Sequence, residues 1–101
     1  MAMNDYTLLM HNDAPVDPDD RPEQWPAYFA KLGAANAFQG GSAIGDGICL
    51  SKRASAPEIT RHLAGYIRIQ AESLSAAREL VIGNPVFEAG GTVEVRELPR
   101  D

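Results

Sequence analysis

From Leu63 to Ala71 the chain alternates without a break. Gly65, Ile67, Ile69 and Ala71 fall on one side, and Ala64, Tyr66, Arg68 and Gln70 on the other. Successive side chains of an extended strand point to opposite faces, so this stretch belongs in a sheet with one apolar face on a core. Its other face is polar and aromatic, and must be covered by water or by another surface. Any fold for the chain has to provide both environments.

The remaining elements follow from local signals. Tyr6 to His11 is a short, nearly continuous apolar run, ended by the turn formers Asn12-Asp13-Ala14-Pro15. It reads as a strand buried on both faces. Residues 13 to 23 hold five acids and three prolines and form a loop leading into a helix. Asp20 and Glu23 stand three apart, as in a capping box. Trp25, Tyr28, Phe29 and Leu32 then recur at i, i+3, i+4 and i+7, which predicts one apolar stripe on a helix over about 23 to 35. Phe38 to Gly41 and Gly47 to Ser51 read as two strand pieces around a glycine-rich bend. Ser73 is placed to cap a second helix lined by Leu74, Ala77, Leu80 and Val81 and ended by Gly83-Asn84-Pro85. Gly91 to Leu98 predicts the last strand, with Val93 and Val95 on one side.

The order is βαββαβ. Two right-handed crossovers over one sheet give an α+β, ferredoxin-like fold: a four-stranded antiparallel sheet with two helices on one face. The uncovered face is expected to carry Tyr66, Arg68, Gln70, Thr92, Glu94 and Arg96.

Composition narrows the function classes. A length of 101 residues predicts a single domain over 1–101. Nine basic against 14 acidic side chains give a net charge of −5, and no basic cluster exceeds Lys52-Arg53. This argues against a nucleic-acid partner, whose phosphates have to be neutralised. One cysteine and two histidines provide neither an internal disulfide nor a structural zinc site. The N-terminus, Met1 to Asp5, has no basic leader region, and no apolar run approaches the roughly 18 residues of a membrane span. A cytoplasmic protein is expected. The glycine-rich bend matches neither phosphate-loop fingerprint, Ser42 is not in a nucleophile elbow, and Cys49 reads as a small buried hydrophobe within a strand.

Several segments together resemble the YCII-related, or DGPF-domain, proteins. They are Tyr6-Thr7-Leu8-Leu9-Met10, Gly65-Tyr66-Ile67-Arg68-Ile69 with Ala71-Glu72-Ser73-Leu74 behind it, and above all the run from Asn84 to Arg96. The resemblance spans nearly the whole chain. It implies a dimeric α+β barrel, in which two copies pair their sheets face to face, and a site for a small molecule. Two positions depart from the family. The Asp-Gly-Pro-Phe signature is replaced by Arg-Ala-Ser-Ala-Pro-Glu-Ile-Thr-Arg-His over 53 to 62. Trp25 stands near the start of the first helix, where one branch has a histidine paired with an aspartate as a catalytic dyad, so that dyad is not carried over.

The site candidates therefore come from the residues themselves. Asp13 follows His11 by two positions, close enough to orient an imidazole for acid–base work, although a strand-end histidine and a turn aspartate before Ala14-Pro15 also explain the pair without any catalysis. Tyr66, Arg68, Glu94 and Arg96 either line a pocket, with the arginines suited to a carboxylate or phenolate, or form salt bridges in a dimer. Trp25 and Tyr28 serve as core residues or as pocket walls. The first expectation is a homodimer that binds, and transforms, a small organic acid or aromatic compound between helix one and the sheet, with no metal, nucleotide or other cofactor. The alternative is a non-catalytic ligand-binding or accessory dimerisation module. A third, by fold analogy, is a cofactor-free monooxygenase.

Overall fold

A computed structural model of the chain describes residues 3–100. Met1 and Ala2, which enter the reading of the N-terminus, and Asp101 lie outside the described residues. Four strands form one antiparallel sheet: β1 (Asn4–His11), β2 (Phe38–Ala43), β3 (Leu63–Ala71) and β4 (Val93–Leu98), in the order β2-β3-β1-β4. The helices are α1 (Gln24–Ala34), α2 (Leu74–Glu79) and α3 (Pro85–Glu88), with a short 3-10 turn at Pro18–Asp20. This is the α+β, ferredoxin-like arrangement expected from the element order.

The two central strands supply the core. Tyr6, Leu8 and Met10 of β1 lie opposite Ile69, Ile67 and Gly65 of β3, and these rows face Tyr28 and Leu32 of α1, Ala77 of α2, Val81 and Val86. Leu8, Leu32 and Ile69 are completely buried. Each such side chain contributes about 1.5–3 kcal/mol by leaving water. From Tyr6 to His11 the burial in β1 alternates, with Thr7, Leu9 and His11 half-exposed. The continuous apolar run is thus buried on one face only, because Thr7 and Leu9 lie on the uncovered side, opposite Arg68 and Tyr66 of β3 respectively.

Pro26 fits in α1 because it occupies the third helical position, where a backbone N–H has no partner within the helix. The expected Asp20/Glu23 capping box does not form. Glu23 precedes the helix without a side-chain cap, and it is Asp17 that caps, accepting from the Asp19 amide of the 3-10 turn. Ser73 caps α2 as predicted, accepting from Ala76 N at 3.1 Å. After Gly83, the buried Asn84 starts an extra short helix by accepting from Val86 N and Phe87 N, with Pro85 at the first helical position.

The largest departure is in the second strand. β2 ends at Ala43, and residues 44 to 62 contain no helix or strand. Gly47 to Ser51 is not a strand: Ile48 and Leu50 are 82% and 86% exposed, and Cys49 is a half-buried loop residue. Backbone bonds at the base of this arm tie Ile44 N to Ala64 O and His62 O to Asn12 N.

Candidate functional site

Small residues on the sheet create a space under α1. Gly41, Ala43 and Gly65 face it from β2 and β3, and Ala14 from the loop after β1. At Gly41 the strands are so close that a Cβ would stand 2.5 Å from Tyr66 O. Just before it, Gly40 takes φ +122° where the β2–β3 register shifts, a conformation suited to glycine. The result is a cavity of about 530 Å³, within the range of small-molecule sites.

One wall is aromatic. Trp25 stacks on Phe29 with ring centroids 5.8 Å apart, and Phe29 meets Phe38 edge to face at 5.4 Å. The Trp25 indole N–H donates to Asp19 Oδ1 at 2.9 Å, which ties the ring to the acidic loop. Phe29 and Phe38 are 40% and 43% exposed, so large apolar faces remain available beside the cavity. Val16, Met10, Ile67 and Val86 complete the apolar lining.

His11 borders the cavity from the end of β1, where the β1–β3 register shifts between Met10 and His11. Its Nε2 lies 3.2 Å from Glu94 Oε1, and its ring meets that of His62 edge to face at 4.8 Å. Glu94 also accepts from Arg96 Nη1 at 2.8 Å. Arg96 first, then His11, hold the Glu94 carboxyl below its ordinary range.

Asp13 is engaged elsewhere. It accepts from Thr92 N at 2.8 Å and from Thr92 Oγ1 at 2.7 Å, fastening the loop after β1 to the start of β4. These bonds lower its pKa. The carboxylate that His11 touches is thus Glu94.

The other candidates divide by location. Trp25 lines the cavity from α1, whereas Tyr66 and His11 reach only its rim from their strands, with their side chains on the uncovered side of the sheet beside Leu9 and Glu94. Tyr28 does not: it is buried in the core, its hydroxyl donates to Leu80 O at 2.6 Å, and burial pushes its pKa up to about 12. Arg68, Glu94 and Arg96 are on the uncovered sheet face, where Arg68 Nη2 donates to Gln39 O at 2.8 Å. Phe29 was visible in the sequence as part of the α1 stripe. Phe38, His62 and Val16 carried no signal, because their neighbours come from distant segments. Among the described residues no group of three or more His, Cys, Asp or Glu is placed to hold a metal ion, and no helix is long and apolar enough to cross a membrane.

No family model matches this sequence, and neither does any curated protein. Among solved structures it is similar to the 5-chloro-2-hydroxyhydroquinone dehydrochlorinase TftG of Burkholderia phenoliruptrix AC1100, in complex with 2,5-dihydroxybenzoquinone. The likeness has a TM-score of 0.56 at 19% identity and covers 95% of each chain. At that identity it is a likeness of fold.

Proposed function

We propose that this chain binds a small, planar, acidic or hydroxylated aromatic compound in the cavity between α1 and the sheet. The observation that carries this reading is the cavity itself, with Trp25, Phe29 and Phe38 on one wall and His11 on the border. Aromatic rings accept a flat ligand by stacking, and a histidine recognises its ionisable oxygen. His11 is the acid–base group of the proposal. Glu94 occupies its Nε2, and among the described residues Nδ1 makes no hydrogen bond. The ligand of the similar dehydrochlorinase, a dihydroxylated quinone, belongs to the same chemical class, and the YCII-like sequence features support a small-molecule site.

The uncovered sheet face supports a second element of the proposal, a homodimer closed by pairing of sheets. Thr7, Leu9, Tyr66 and Gln70 are half-buried there without an overlying layer. A chain that only dimerised through this face would need no cavity behind it.

Ligand-observed NMR with benzoates, phenols and hydroxyquinones tests the site. Saturation transfer is expected with the native chain and is expected to disappear in Ala43→Phe, whose exposed position lets the new ring fill the cavity. Equal transfer in both proteins, or none with the native chain, contradicts the proposal.

A further inference from the structure

The arm from 44 to 62 has the composition of a surface made to be covered. All its residues are exposed except Cys49 and Ile59, yet it carries Ile48 and Leu50 almost wholly in water. The arm folds back on itself, since a Cβ at Gly47 would stand 3.3 Å from Ile59 Cδ1. Between its two base contacts its backbone makes no backbone hydrogen bond among the described residues.

Two global quantities agree. The chain exposes 6899 Å², whereas a compact monomer of its mass exposes about 5600 Å². The excess exceeds the roughly 800 Å² that one partner contributes to a standard interface. The radius of gyration is 15.1 Å, against about 13 Å for a compact domain of this length.

Charge identifies the occupant. The arm holds three basic and two acidic residues, while the rest of the chain holds six basic and twelve acidic. Lys52 and Arg53, the one basic pair in the sequence, lie at its tip. The densest acidic stretch is the loop before α1, where Asp17, Asp19, Asp20 and Glu23 outweigh the single base Arg21. An arm and a loop of opposite sign on the same chain are self-complementary, as an isologous contact between two copies requires.

We infer that the 44–62 arm clasps a second copy of this chain, burying Ile48 and Leu50 and setting Lys52 and Arg53 against the acidic loop of that copy. Asp17 and Asp19 border the cavity, so the clasp places two cations from one copy beside the cavity mouth of the other. There they would offset the acidic side chains past which an anionic ligand has to enter. This contact is separate from the sheet pairing and does not depend on the ligand proposed above.

Sedimentation velocity over a dilution series of the full chain tests the inference. Ile48→Ser with Leu50→Ser is expected to raise the dimer dissociation constant at least tenfold, and Lys52→Glu with Arg53→Glu to do the same. Adding Asp20→Lys and Glu23→Lys to the second variant is expected to restore association. A dimer unmoved by both arm variants overturns the clasp and leaves the sheet pairing standing, and a monomeric native chain overturns both. A fall in thermal midpoint at concentrations where the native chain is monomeric also overturns it, because the arm would then pack on its own chain.

Discussion

His11 Nε2 and Glu94 Oε1 stand 3.2 Å apart, joining the end of β1 to the start of β4 across 83 residues of sequence. The contact is made possible by the β1–β4 register, which sets Leu9 opposite Glu94 and places His11 beyond it on the same side of the sheet. Its consequence is that the histidine at the rim of the cavity is held in a fixed orientation by a carboxylate of the next strand.

His11→Ala is expected to weaken binding of an acidic aromatic ligand by about tenfold or more, the equivalent of one charge-assisted hydrogen bond. The fold should persist, because the His11 side chain is partly exposed and outside the core. Calorimetric titration alongside far-ultraviolet circular dichroism reads both quantities. Glu94→Gln should weaken binding less. Undiminished affinity in a folded His11→Ala protein contradicts the assigned role.

Asn84 is the buried polar residue on which the α2–α3 junction depends. It accepts from Val86 N at 2.9 Å and Phe87 N at 3.3 Å, and donates to Met10 Sδ at 3.5 Å. Asn84→Ala removes the cap and leaves buried donors unpaired, with an expected loss of about 1–3 kcal/mol. For a domain of this size each kcal/mol lowers the thermal midpoint by about 4–8 °C. A midpoint within a degree of the native value would show that Asn84 is not structurally required.

The pH dependence of stability should have two limbs. Asp5, lowered chiefly by the Arg100 side chain, Asp13, lowered chiefly by Thr92, and Glu94, lowered chiefly by Arg96, all have folded pKa values below their ordinary ones. Their contribution is present above the ordinary carboxylate range and is lost as pH falls through the lowered folded values. Tyr28 acts at the other end. Its hydroxyl, at about 12 in the fold against 10.0 ordinarily, stabilises below pH 10 and ceases to do so as pH rises toward 12. Thermal midpoints across this range should fall on both sides, and Asp13→Asn should flatten the acid limb. An acid limb unchanged in Asp13→Asn would contradict the assignment.

The sheet was legible because burial imposes period two on β3 and sets Val93 and Val95 apart on β4. The Ser73 cap was legible for an equally local reason. What could not be read was non-local. Nothing near Gly47 to Ser51 shows that Ile48 and Leu50 leave the sheet, since an apolar triplet has the same pattern in a strand and in an arm. Asp13 was near enough in sequence to serve His11, but Thr92, 79 positions away, takes both its oxygens. The helical stripe pointed to Trp25 and Tyr28 alike. Only packing separates them, with Tyr28 under Leu80 and Trp25 at the cavity.

The central claim is that an aromatic ligand occupies the cavity beside α1, and the fluorescence of Trp25 tests it most directly, because Trp25 is the sole tryptophan and part of the wall. Titration with benzoates, phenols and hydroxyquinones, corrected for ligand absorbance, is expected to give saturable quenching, as a stacked ring changes the surroundings of the indole. The same titration of Ala43→Phe should show no saturable component. Quenching that never saturates in the native chain at millimolar ligand, or saturates identically in Ala43→Phe, would contradict the claim.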